Sequence, residues 1–237
     1  MSKQVFISIF CIFWSPLLYS AQELTLSKLK DLPDQFIGEY ILIKAYAHLG
    51  IELKFNVLPA SRALRYAQEG IVDGEIQRLT AIEASSPTLI RVPTSLGPLD
   101  SCIFFTKNTK FTALKDFGDY RFVYVRGIKS FDPLLPYFKE SHVVNTQGQV
   151  WKMISHGRAD LTSAGRIGGL YQLKKLGITG IYPLDPPRER YALYHYLHEK
   201  HRSLVPRINE VLQKLSKTGE LQKLRAEAID KLLSSVL

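Results

Sequence analysis

Ile51, Leu53, Phe55 and Val57 alternate with polar neighbours, which predicts a half-buried strand over 51–58. The period then changes. Between Leu58 and Leu79, Ala63, Leu64 and Ala67 share one helical face, and Arg65 and Glu69 stand i, i+4. Ser61 is the expected N-cap, and Gly70 stands where a helix ends in a residue of positive φ. Ile71 and Val72 predict the start of a buried strand, along which Asp73, Glu75, Arg78 and Thr80 place acid, base and hydroxyl. The same order recurs downstream. A helix over 147–156, with Val150, Trp151 and Ile154 apolar, leads to Gly157, Asp160 and a further apolar run. Each aspartate is expected to tie down its turn.

The other periodic runs complete an α/β pattern. Strands are predicted over 23–29, 89–92, 101–106, 122–125, 143–144, 181–184 and 190–197, and helices over 38–49, 112–117 and 170–176. A further helix is expected after the loop Arg126-Gly127-Ile128-Lys129-Ser130, and the tail from Ser203 to Ser234 is helical with a break at Gly219. Pro93 to Pro98 and Asp185-Pro186-Pro187 interrupt the chain and bracket its middle α/β unit. That order predicts two lobes, the second inserted in the first, with boundaries at 22–97 plus 192–237 and 98–191. The cleft between them is the expected binding site, and the breaks are the expected hinges.

The first segment alters the setting. Lys3 is followed by an apolar run from Val5 to Leu18 and by small residues at Ser20 and Ala21, the form of a secretory signal peptide over 1–21. Of the two cysteines, Cys11 lies in that segment, and Cys102 sits in the apolar run Ser101 to Phe105, where burial is expected. No internal disulfide is expected. The whole chain carries 31 basic and 22 acidic residues, net +9. The basic residues are dispersed without a long run, so nucleic acid is not an expected partner, whereas an anionic small ligand is. His195, His198 and His201 divide between a predicted strand and a loop, and no metal site is expected.

These features together resemble type 2 periplasmic solute-binding proteins, the group that includes the amino-acid-binding proteins of ABC importers. The resemblance covers most of the chain after the leader. It rests on Gly38-Glu39-Tyr40, Ala63-Leu64 with Gly70-x-Val72-Asp73, Gly157-Arg158-Ala159-Asp160, and Lys217-Thr218-Gly219-Glu220-Leu221 after an amphipathic helix. It implies a two-lobe clamshell, a periplasmic monomer without cofactor, and a permease or a sensor protein as partner. The sequence departs from the amino-acid binders at the site. Thr80 matches their threonine, but Ser85 and Ser86 fall where their carboxylate-clamping arginine stands, and Arg78 is the expected substitute. Their acid for the ligand amine is replaced by Ala164-Gly165-Arg166. The candidate ligand-binding residues are therefore Arg62, Glu75, Arg78, Thr80, Arg126, Gly127, Ser130 and Arg166, for a small polar, carboxylated or anionic solute. Gly127 and Ser130 belong to a strand-to-helix turn suited to anions.

Two other readings use the same scaffold. A dehydratase-like enzyme would need a general acid or base in the cleft, and Glu75 is the candidate. A sensing module would act on a separate signalling partner. No catalytic constellation stands out, so a binding protein is the expectation.

Overall fold

The structure, a computed structural model, describes residues 22–30, 32–106, 114–126 and 135–236. The expected signal peptide, Gly127, Ser130 and the helix expected after them lie outside the described residues, as does the start of the helix expected over 112–117. In chain order the elements are β1 (Gln22–Leu29), α1 (Gln35–Ala47), β2 (Ile51–Leu58), α2 (Ala60–Gln68), β3 (Gly74–Arg78), β4 (Leu89–Arg91) and β5 (Gly97–Thr106). They continue with β6 (Arg121–Val125), β7 (Glu140–Val144), α3 (Gln147–Ser155), β8 (Leu161–Gly165), α4 (Arg166–Lys175), β9 (Ile181–Pro183), β10 (Glu189–His198), α5 (Leu204–Lys217) and α6 (Glu220–Ser234).

Two sheets, one in each lobe, share one long strand. In the first, β1 pairs in parallel with β2 from Gln22↔Ile51 to Leu29↔Leu58, and with β3 on its other side. Parallel strands of this kind are covered on both faces. Leu24 and Leu26 of β1 and Ile76 of β3 pack with α1, α5 and α6, while Leu29 packs with Leu58 and Ala63 of α2. In the second sheet, β5 pairs with β8, and β6 lies between β8 and β7. The alternation along β5 sorts its side chains by face. Cys102 and Phe104 join α3 and Trp151, and Ile103 joins Phe117, Phe122 and Phe138. Cys102 is buried, as its apolar run predicts.

Strand β10 belongs to both sheets. Its first half pairs antiparallel with β5, from Glu189↔Ser101 to Leu193↔Gly97, and its second half pairs with β3 and β4. The change of partner coincides with a bulge between Tyr194 and Tyr196. His195, at the bulge, is fully buried. Its Nδ1 lies 2.7 Å from the Glu75 carbonyl and its Nε2 lies 2.8 Å from Tyr46 Oη. The carbonyl can only accept, so Nδ1 carries the proton and Nε2 accepts from the tyrosine. Burial pushes the imidazole down to about 4, against the opposing pull of the Glu75 and Ile76 backbone.

The two glycine–aspartate turns are built alike. Gly70 and Gly157 have φ of 70° and 66° after their helices. Asp73 accepts from the Thr25 amide at 2.7 Å, and Asp160 accepts from the Arg121 amide at 2.8 Å, so each pins its turn to the neighbouring strand. Burial raises Asp73, but Lys200, the Thr25 amide and His201 outweigh it and hold the carboxyl below its usual range. The Arg121 guanidinium does the same for Asp160.

Four expected boundaries are corrected. Helix α2 starts at Ala60 with Pro59 as its cap, since the Ala63 amide reaches the Pro59 carbonyl at 2.9 Å; Ser61 lies inside the helix. Ile71 and Val72 do not begin a strand, because both amides turn back to the Tyr66 carbonyl; pairing starts at Gly74. Strand β5 starts inside the proline-rich break, where Pro98 faces Ala192. Helix α4 starts at Arg166, ahead of the apolar run.

Candidate functional site

A cavity of about 230 Å³ lies where the two lobes meet. Lobe one contributes Asp34 at the N-cap of α1, Ile37 within α1, Gln77 from β3, and Arg225 and Ile229 from α6. Lobe two contributes Arg166 and Ile167 from α4, β5 supplies Pro98, Leu99 and Asp100, and the shared strand β10 supplies Leu193. Four charged side chains therefore stand in a largely apolar wall.

Two of the four are already matched. Asp100 accepts from Arg190 at 2.6 and 3.1 Å, and this pairing holds its carboxyl below the usual range despite partial burial. Arg166 donates to the exposed Asp185 at 2.7 Å. The other two are not. Among the described residues, no side chain hydrogen-bonds the Asp34 carboxylate and none forms an ion pair with Arg225. Arg225 spends one Nη2 contact, at 2.7 Å, on the Pro98 carbonyl. Burial pushes Asp34 up to about 6, with Arg225 and the Gly168 amide offsetting part of that rise. Burial likewise lowers Arg225, against Asp34 and Asp100. The cavity thus holds one carboxylate and one guanidinium whose lost hydration is incompletely replaced.

The Asp34 backbone is fixed. Its carbonyl accepts from Gln77 Nε2 at 2.8 Å and from the Ile37 amide at 3.1 Å. Gln35 Nε2 reaches the Gln77 carbonyl at 3.3 Å, which joins the start of α1 to the end of β3. Across the cavity, a β-carbon at position 165 would lie 2.8 Å from Asp34 Oδ2, and one at position 168 would lie 3.0 Å away. Gly165 and Gly168 leave the space that the carboxylate fills against the first turn of α4.

Among the described residues singled out in the sequence, only Arg166 lines this cavity. Glu75 and Arg78 are brought together, with Nε–Oε2 at 2.6 Å and Nη2–Oε1 at 2.9 Å; Nη2 also reaches the Ala60 carbonyl at 3.1 Å. The Glu75 side chain is 0% exposed and that of Arg78 14%. Burial raises the Glu75 carboxyl, and Arg78 opposes that rise. The pair joins β3 to the start of α2, and Arg78 commits its donors internally. Arg62, Thr80 and Arg126 are exposed. Asp34, Gln77, Asp100 and Arg225 were not singled out from sequence. Asp34 stands in a Leu-Pro-Asp turn and Arg225 on an amphipathic tail helix, both ordinary places for solvated charge.

No protein-family model matches the chain. An uncharacterized protein of Shewanella oneidensis is 25% identical over 201 residues, 81% of this chain and 75% of that protein. Among solved structures, a histidine kinase sensor domain with similarity to periplasmic binding proteins superposes with a TM-score of 0.71 at 16% identity, over 86% of this chain and 95% of that one. The probable amino-acid ABC transporter extracellular-binding protein of Bacillus subtilis gives 0.73 at 14% identity, over 88% and 97%. An ancestral arginine-binding protein bound to arginine gives 0.68 at 14%, over 86% and 97%. The chain has the two-lobe fold of periplasmic solute-binding proteins, with the second lobe inserted in the first. No helix among the described residues is long and apolar enough to cross a membrane.

Proposed function

We propose that this protein binds a small zwitterionic, amino-acid-like solute between its lobes and presents the closed complex to a membrane partner. The observation that carries the reading is the interlobe cavity in which, among the described residues, the Asp34 carboxylate has no side-chain hydrogen bond and the Arg225 guanidinium no ion pair, the two acting on each other only at longer range. A solute with both an ammonium and a carboxylate offsets both lost hydration shells at once. At about 30 Å³ per water, the 230 Å³ cavity has room for roughly seven waters or one small amino acid. The apolar lining favours expulsion of that water on closure.

In this reading the segment over 1–21 is a cleaved signal peptide and the protein acts in the periplasm as a monomer. The lobes are 22–97 with 192–237 and 98–191, and the breaks between them are the hinges. Arg166 keeps its place in the site, whereas Arg62, Thr80 and Arg126 are exposed and do not line the cavity. The partner is an ABC permease or a separate sensor protein, and structures of both settings share the fold. The enzyme reading is disfavoured by Glu75, whose carboxylate is buried and held by Arg78 rather than free to move a proton.

The test is a thermal-shift screen of the leader-free protein against the twenty common amino acids and cystine, with mass spectrometry of small molecules released on denaturation. A matching zwitterion is expected to stabilise the fold by about 2.7 kcal/mol at one hundred times its Kd. No stabilisation by any of them, with no amino acid released, overturns the proposal.

A further inference from the structure

We infer that Asp34 is the residue that recognises the ammonium group of the solute, and that it does so across the lobes. The inference rests on the zwitterion reading above and adds which side chain takes the cation and from which lobe. Strand β8, Leu161–Gly165, runs to the cavity edge and carries no acid. The acid at that edge arrives from the opposite lobe. Asp34 caps α1, and its Oδ2 lies where side chains at Gly165 and Gly168 would otherwise stand.

Of the two carboxylates in the cavity, Asp100 is matched by two hydrogen bonds from Arg190. Asp34 has none from a side chain among the described residues, while its backbone is held by Gln77 and Ile37. A carboxylate that is fixed in place, partly desolvated and without a side-chain donor is stabilised by an ammonium placed beside it. Arg225 faces it from α6 but gives its hydrogen bond to the Pro98 carbonyl. That leaves Arg225 for the opposite end of the solute. The arrangement also couples recognition to closure. The Asp34 carboxylate of lobe one stands against the first turn of α4 in lobe two, so an amine-bearing solute held there favours the state that keeps the lobes together.

The experiment compares each amino acid that stabilises the wild type with its deaminated carboxylic acid, by calorimetric titration at pH 7.5. Three proteins are used: wild type, Asp34→Asn, and the exchange Asp34→Gly with Gly165→Asp, which moves the carboxylate to the other lobe. The wild type is expected to prefer the amine-bearing solute by at least tenfold. Asp34→Asn is expected to lose that preference with its melting temperature unchanged or raised, and the exchange is expected to restore it. An undiminished preference in Asp34→Asn overturns the inference, as does an equal loss for both solutes, which is the mark of a purely structural role. Absence of binding by the wild type to every amino acid refutes the zwitterion reading itself and is seen before any variant is made.

Discussion

His195 and Asp34 make a quantitative prediction about stability against pH. His195 titrates near 6.5 when unfolded and near 4 when folded. Between those values the unfolded chain binds more protons, so its contribution to stability is complete above pH 6.5 and is lost as pH falls towards 4. The shift corresponds to about 3 kcal/mol in all, with a slope of about 1.2 kcal/mol per pH unit at pH 5. Asp34 has the opposite sign. Its carboxyl moves from 3.8 unfolded to about 6 folded, so its contribution is complete below pH 3.8 and is lost as pH rises through 6. Its total is also about 3 kcal/mol, with a slope near −1.2 kcal/mol per pH unit at pH 5. The groups facing Asp34 are Arg225, Arg166, Asp100 and the Gly168 amide, and those facing His195 are Tyr46 and the backbone of Glu75 and Ile76. Between pH 4 and 6 the two residues therefore nearly cancel.

The assay is urea unfolding at half-unit steps from pH 4 to 8 for wild type, His195→Gln and Asp34→Asn. Relative to wild type, Asp34→Asn should lose stability as pH falls from 6 to 4, exposing the histidine. His195→Gln should gain it over the same interval, exposing the aspartate, even though its overall stability is lower. Curves that run parallel to wild type for both variants would refute the assignment of either shift.

Two further outcomes test the scaffold. Arg78→Ala leaves the Glu75 carboxylate buried without its partner and should cost about 3–5 kcal/mol in urea unfolding, whereas Arg78→Ala with Glu75→Gln should recover part of that loss. A β-carbon at Gly74 would lie 2.2 Å from the Tyr196 carbonyl oxygen, so Gly74→Ala must push β3 from β10 and should cost about 1–3 kcal/mol or more by the same measurement.

The fold was largely legible in sequence because its parts obey local rules. The alternation over 51–58 is a strand to the residue, and Gly70 and Gly157 both end helices in the left-handed region. The misplaced starts have local causes too. Pro59 displaced Ser61 as the cap, and Gly168-Gly169 weakened the helical signal at the start of α4. The cavity was far less legible. Asp34 and Arg225 lie near opposite ends of the chain, and they meet only because α6 folds back along α1 and reaches α4. The prominent motif residues Glu75 and Arg78 instead satisfied each other, which no spacing along the strand distinguishes from a shared ligand.

The pairing of Gly97 with Leu193 carries a consequence for modular engineering. With the lobe boundaries proposed above, the inserted lobe leaves and rejoins its host on a single rung of antiparallel strands, whose Cα atoms stand about 5 Å apart. A two-residue hairpin turn spans that gap. On those boundaries the second lobe is a cassette, inserted at two strand positions close enough for such a turn to splice the host once it is excised.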